Sequence, residues 1–221
     1  MAAVFAALAC QVKAGDRIVA SRALFGSILY VICDLLPTWG VEFELVDGTD
    51  LNQWEKALSK PARAVFMETP SNPTLEIIDL KAVCELAHAA GARVILDNVF
   101  ATPVLQKPLQ LGVDIVVYSS TKHIDGQGRA MGGAILSNDE EFAQDLLKPF
   151  LRNTGPSMSP FNAWLMLKGL ETLDLRVERM SANTLDIATF LETLPGIDRV
   201  IYPGLASHPQ HALAMAQMKS G

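Results

Sequence analysis

Cysteine, basic clusters and long apolar runs are all scarce in this chain. The three cysteines, Cys10, Cys33 and Cys84, stand far apart with no C-x-x-C pair. That spacing excludes a disulfide framework and a zinc ribbon. Each sits among apolar neighbours, so all three read as small buried hydrophobes in a reducing compartment, and the expected location is the cytoplasm. No stretch approaches the roughly 18 apolar residues of a spanning helix, so no membrane partner is expected. Eighteen Lys plus Arg stand against 24 Asp plus Glu, a net charge of −6. Without a long basic run, that balance argues against nucleic acid as a partner. The opening segment is apolar but has no basic stretch ahead of it, unlike a secretory leader. It reads as a buried helix over Ala2–Lys13 ended by Gly15 at the C′ position.

What is present is a globular composition. Hydrophobic residues make up 50% and charged residues 19% of the 221 positions, and the mean hydropathy is +0.24. Disordered, collagen-like and coiled-coil chains do not look like this. The length allows one to two domains.

Short β-rich runs alternate with helical patterns. Strands are expected at Asp16–Ala20, Val41–Val46, Arg63–Glu68, Arg93–Leu96 and Asp114–Tyr118. Helices are expected at Gly26–Leu36, Leu51–Leu58 and Leu80–Ala90, the last stopped by Gly91. The strands are nearly continuous apolar runs without in/out alternation, which fits a parallel sheet covered on both faces. Two prolines in Thr69-Pro70-Ser71-Asn72-Pro73 prevent the third strand from continuing. Beyond Leu136 the pattern becomes helical. Ser159-Pro160 starts a long helix, with serine as cap and proline in first position, and a second helical stretch runs to about Leu194. Arg199–Tyr202 then reads as the first strand of a second unit. The expectation is an α/β fold with a large domain over 1–173 and the beginning of a smaller α+β domain over 174–221.

In open parallel sheets, ligands sit at the carboxyl ends of the strands. Arg93–Leu96 runs directly into Asp97-Asn98, and Asp114–Tyr118 runs into Ser119-Ser120-Thr121-Lys122-His123. A carboxylate, two hydroxyls and an amine are thus aimed at one edge. An amine can form a Schiff base with an aldehyde cofactor. A carboxylate can hold a protonated pyridine nitrogen, and hydroxyls can bind a phosphate. Those are three needs of pyridoxal phosphate. Other features carry less. His208-Pro209-Gln210-His211 offers two ring nitrogens without a third metal ligand and reads as a solvated loop. Gly126-Gln127-Gly128 with Gly132-Gly133 lacks dinucleotide spacing. His123 reads as a packing residue, and Met158, Met166 and Met180 read as core.

The chain resembles the Cys/Met-metabolism family of pyridoxal-phosphate enzymes. The resemblance lies in Asp97-Asn98 with Thr102-Pro103, Ser119-Ser120-Thr121-Lys122, Glu68-Thr69-Pro70-Ser71-Asn72-Pro73-Thr74 and Tyr202-Pro203-Gly204-Leu205, and it covers essentially all 221 residues. It implies the fold type I, aspartate-aminotransferase-like transferase architecture. It implies Lys122 as the Schiff-base lysine and proton shuttle, Asp97 at the pyridine nitrogen, and Ser119, Thr121 and the Met1 amide at the phosphate. Asn72 is implied near the phenolic oxygen and the substrate carboxylate. Phe25 falls where the family stacks an aromatic on the ring, usually tyrosine; phenylalanine keeps the stacking and removes the donor. Val99 stands where some relatives carry threonine.

Leu24-Phe25-Gly26-Ser27 resembles the O-succinylhomoserine sulfhydrylase branch. That implies γ-replacement, with homocysteine formed from O-succinylhomoserine and sulfide for methionine biosynthesis. Cystathionine γ-synthase or γ-lyase chemistry is the alternative on the same scaffold. The implied partners are an amino-acid substrate and further copies of the chain, as a dimer or tetramer. Family chains are longer. The Ser-Gly of the phosphate loop is expected before Met1 and the substrate-carboxylate arginine after Gly221. The chain is therefore expected to be an internal segment of an enzyme, or a shortened and catalytically incomplete relative.

Overall fold

In the computed structural model, which describes residues 1–221, the apolar runs become six strands of one sheet: β1 Arg17–Ser21, β2 Glu42–Val46, β3 Ala64–Glu68, β4 Arg93–Asp97, β5 Ile115–Ser119 and β6 Gly133–Ser137. Their order is β2-β1-β3-β4-β5-β6. The first five are parallel, and β6 closes the edge antiparallel to β5. Strand alternation feeds a core on each face. In β3, Val65 and Met67 join Val19, Trp54, Val94 and Leu96 on one side. Ala64 and Phe66 join Leu8, Ile18, Ile32 and Ile95 on the other. Both faces are dry, which is why these strands read as continuous apolar runs.

Helices cover the faces. α1 (Ala2–Ala9), α2 (Gly26–Leu29), α3 (Leu51–Leu58) and α4 (Leu80–Ala89) precede the site-bearing strands or lie between them. Asp50 caps α3 by accepting from Asn52 N–H at 3.0 Å, and Asp79 caps α4 through Ala82 N–H at 3.1 Å. Trp54 fills the α3 side of the core and donates its indole N–H to Gly48 O at 3.0 Å. α5 (Thr102–Leu105) follows β4, and α6 (Lys148–Thr154), α7 (Pro160–Leu170), α8 (Leu173–Glu192) and α9 (His211–Gln217) complete the chain. Ser159 caps α7 as expected, accepting from Asn162 N–H at 3.1 Å with Pro160 in first position.

Several expectations are corrected. The first helix stops at Ala9 rather than Lys13, and Gly15, at φ +86°, belongs to a separate turn. The helix expected over Gly26–Leu36 is broken into a short α turn, a π segment over Tyr30–Leu35 and a 3₁₀ turn over Leu36–Trp39. Pro37 removes an amide there, and Gly40 ends the segment at φ +80°. β6 had no sequence expectation, and neither did the π segment Phe142–Leu147 that leads into α6. Arg199–Tyr202 is not a strand; no strand lies beside it to supply a ladder. The His208–His211 stretch is not a solvated loop. His208 is buried and accepts from Gln210 N–H, and His211 opens α9 with its ring against Pro203 O at 2.9 Å. Of the three methionines read as core, Met166 is buried but Met158 and Met180 are exposed.

Candidate active site

Three neighbouring strands, β3, β4 and β5, end at Glu68, Asp97 and Ser119. Glu68 and Asp97 are register partners. Parallel strands roughly 4.8 Å apart place registered side chains on the same face, so two carboxylates stand side by side where the apolar strands leave the core. Both are buried. Burial first, and then the neighbouring Asp97 charge, push the Glu68 carboxyl up to about 8. Burial raises Asp97 to about 6, against the hydrogen bond from Val99 N–H.

The environment of each acid differs. Asp97 Oδ1 accepts from Val99 N–H at 3.0 Å. Its other oxygen has no donor from the protein, which leaves it free for a protonated ring nitrogen. Glu68 is fully engaged with backbone. Oε2 accepts from Phe25 N–H at 2.9 Å and Oε1 from Asn72 N–H at 3.1 Å. Phe25 and Asn72, both expected around the cofactor ring, are thus brought to one carboxylate. Sequence reasoning gave Glu68 no role. It lies in the Glu68–Thr74 run that carries the resemblance, but its contact with Phe25 spans 43 positions and leaves no local signal.

Directly beneath Asp97, Asn98 is completely buried. Its amide donates to Tyr118 Oη at 2.9 Å and Thr102 O at 3.1 Å, and its oxygen accepts from Gln106 at 2.8 Å. Thr102 sits at φ +57°, a left-handed conformation that costs a β-branched residue energy. Its amide on Asn98 O at 3.0 Å and its hydroxyl accepting from Val104 N–H at 3.1 Å hold it there. The turn that presents Asp97 is therefore fixed from below.

On the β5 side, Met1, Ser119 and Thr121 line one cavity of about 560 Å³, together with Gly132, Gly133 and Ser157. The Ser119 hydroxyl makes no hydrogen bond within the protein and is free to donate. Thr121 is committed to the β5–β6 connection: its Oγ1 donates to Gly132 O at 3.3 Å and accepts from Gly132 N–H at 3.1 Å. Lys122 lines a second cavity of about 460 Å³ with His123, Gly126, Arg176 and Arg179. The two cavities flank the same Ser119–Lys122 turn. Arg176 braces that turn from α8, donating to His123 O and Gly169 O at 2.8 Å each.

The structure therefore groups the expected residues in three parts: Phe25 and Asn72 on Glu68 beside Asp97, Met1 with Ser119 and Thr121, and Lys122 across the turn. A free carboxylate oxygen, an uncommitted hydroxyl and an amine at one sheet edge fit an aldehyde cofactor with a ring nitrogen and a phosphate, which is the chemistry of pyridoxal-phosphate enzymes. The chain belongs to the Cys/Met metabolism PLP-dependent enzyme family, whose model matches residues 1–221.

It is 58% identical over 221 residues to an O-succinylhomoserine sulfhydrylase of Mycobacterium tuberculosis, covering 100% of this chain and 54% of that protein. It is 46% identical over 217 residues to one from Pseudomonas aeruginosa, covering 98% of this chain and 53% of the relative. A cystathionine gamma-synthase of Mycobacterium bovis is 40% identical over 220 residues, covering 99% of this chain and 56% of the relative. The chain spans about half the length of the curated relatives it matches. Among solved structures, MetB from Corynebacterium glutamicum superposes with a TM-score of 0.96 at 38% identity, covering 100% of this chain and 57% of that one. CalE6, a methionine gamma lyase from Micromonospora echinospora, superposes at 0.93 with 36% identity, covering 99% and 59%.

Proposed function

We propose that this chain carries the cofactor-binding part of a pyridoxal-phosphate enzyme that makes homocysteine from O-succinylhomoserine and sulfide. In this reaction sulfide displaces succinate from the γ-carbon. When bound, the cofactor supplies an electron sink for the pair left at the substrate α-carbon. The protein supplies the rest. Lys122 would hold the cofactor through its aldehyde carbon; once the substrate amine has displaced it, its freed amine would carry the proton from the substrate α-carbon. Asp97 would accept a hydrogen bond from the protonated ring nitrogen on its free oxygen and so keep that nitrogen charged. Ser119 donates its hydroxyl to the phosphate. Thr121 does so by releasing Gly132 O, and Met1 completes that side. Phe25 covers a ring face, and Asn72 lies beside the phenolic oxygen and the substrate carboxylate.

The observation that carries the sulfhydrylase reading is the gradient of similarity. The two sulfhydrylases stand at 58% and 46% identity, while γ-synthase and γ-lyase relatives stand at 40%. Phe25 in place of a phenol agrees with that branch. The large domain over 1–173, a second unit beginning at 174, self-association and a cytoplasmic location are part of the same proposal. No helix is long and apolar enough to cross a membrane.

The test combines spectroscopy with product analysis. Incubation with pyridoxal phosphate produces a visible imine band that borohydride fixes on Lys122, and Lys122→Ala lacks it. O-succinylhomoserine is then supplied with sulfide, with cysteine, or with no thiol. Homocysteine from sulfide supports the reading. Release of 2-oxobutyrate without sulfide incorporation moves the activity to γ-lyase, and cystathionine as the main product moves it to γ-synthase.

A further inference from the structure

Phe25 and Asn72 lie on two loops that share no secondary structure. Phe25 is the residue before α2 and Asn72 lies in the turn after β3. Both side chains are expected to meet the same ring, so something must hold the loops in a fixed relation. Phe25 is itself 46% exposed and has no aromatic neighbour to orient it. The one group common to both loops is the Glu68 carboxylate, with one oxygen on each backbone amide. Its own position is set by β3, whose five residues are all buried, and by register with Asp97. A carboxyl group with one oxygen on each of two amides is a two-pronged clamp.

We propose that Glu68 is a positioning residue that clamps the Phe25 and Asn72 loops together over Asp97, so that aromatic face, amide side chain and ring-nitrogen acceptor keep one geometry. The proposal rests on the cofactor reading for what the clamp serves, but the clamp itself exists in the cofactor-free protein. Neither amide belongs to a sheet ladder or to the repeating helix pattern, so nothing but Glu68 protects them. Shape matters here. Glutamine at this site turns an NH₂ toward one of the two N–H groups, donor against donor. Aspartate keeps the carboxyl group but is one methylene too short to reach both loops.

The experiment uses wild type, Glu68→Gln and Glu68→Asp, with two readouts. Amide hydrogen exchange in the cofactor-free protein should show Phe25 and Asn72 protected in wild type. In either variant at least one should exchange roughly tenfold faster or more, with Val65, Phe66 and Met67 unchanged. Visible circular dichroism of bound pyridoxal phosphate should lose most of its intensity per imine formed in both variants, because a ring no longer held between two fixed loops loses its asymmetric environment. A purely structural role would lower the melting temperature and leave the dichroism per bound cofactor unchanged, which overturns the proposal. Full retention by Glu68→Asp with loss in Glu68→Gln also overturns it, because the carboxyl group rather than its reach to both loops would then be what matters. Rapid exchange of Phe25 and Asn72 in wild type overturns it without any variant, which covers the case of a variant that does not fold. If wild type forms no imine band at all, the cofactor reading fails, and the exchange data still decide whether the clamp exists.

Discussion

Glu68 makes the stability of the cofactor-free protein depend on pH in an unusual direction. Its carboxyl is raised from 4.5 to about 8, first by burial and then by the charge of Asp97. Asp97 is itself raised to about 6. Near neutrality the folded chain therefore keeps a proton on Glu68 that the unfolded chain has released. Linkage then requires the unfolding free energy to fall as pH rises, at up to about 1.4 kcal/mol per pH unit for one proton. Because Glu68 begins to lose that proton as pH approaches 8, the drop from pH 7 to 8 is about 1 kcal/mol, or roughly 2–4 °C in Tm for a chain of this size.

The window is chosen to isolate this group. His123 and His208 are lowered, chiefly by burial, so they add stability as pH rises only toward the ordinary histidine value. Burial raises Cys10 to about 11 and Cys84 to about 12, which bears on pH values above 8. Urea unfolding of cofactor-free protein between pH 7 and 8 gives the slope, and Glu68→Gln should be nearly flat there. A flat or rising wild-type curve, or an equal slope in the variant, refutes the carboxyl-pair argument.

Four further outcomes follow from the geometry. Asn98→Ala strips buried partners from Tyr118, Thr102 and Gln106. It should cost about 2–4 kcal/mol in urea unfolding and weaken cofactor binding by shifting the Asp97 turn. Ser119→Ala should weaken pyridoxal phosphate binding roughly tenfold with no change in the stability of the cofactor-free chain. Thr121→Val should weaken both, because it also severs the link to Gly132, and calorimetry with and without cofactor separates the two. Arg176→Ala should destabilise the chain by about 2–3 kcal/mol and make the Lys122 turn a protease-sensitive site, and Arg176→Lys should restore less than half, since one ammonium cannot reach the carbonyls of both His123 and Gly169.

What could be read in advance follows from which contacts are local. β3, β4 and β5 were visible because both faces are dry, and Asp97 and Ser119 were visible because polarity at the end of such a strand is anomalous. β6 was hidden. It is a glycine-led edge strand, and Gly133 is there because a Cβ would stand 2.9 Å from Ala3 Cβ of α1, a demand made by packing rather than by local pattern. The segment 142–154 was hidden because Pro149 falls inside it, although a proline near the start of α6 is tolerated. Arg199–Tyr202 misled in the opposite way: its β-branched and aromatic residues favour extension, but a strand exists only where another strand meets it. Glu68 illustrates the general limit. Its partners are backbone amides, which every residue except proline carries, so no side-chain type at position 25 or 72 could have announced them. Residues that act on side chains or ligands leave a chemical signature in sequence, and residues that hold loops by their backbone leave none. The second kind must be sought wherever a buried carboxylate has both oxygens spent on main chain.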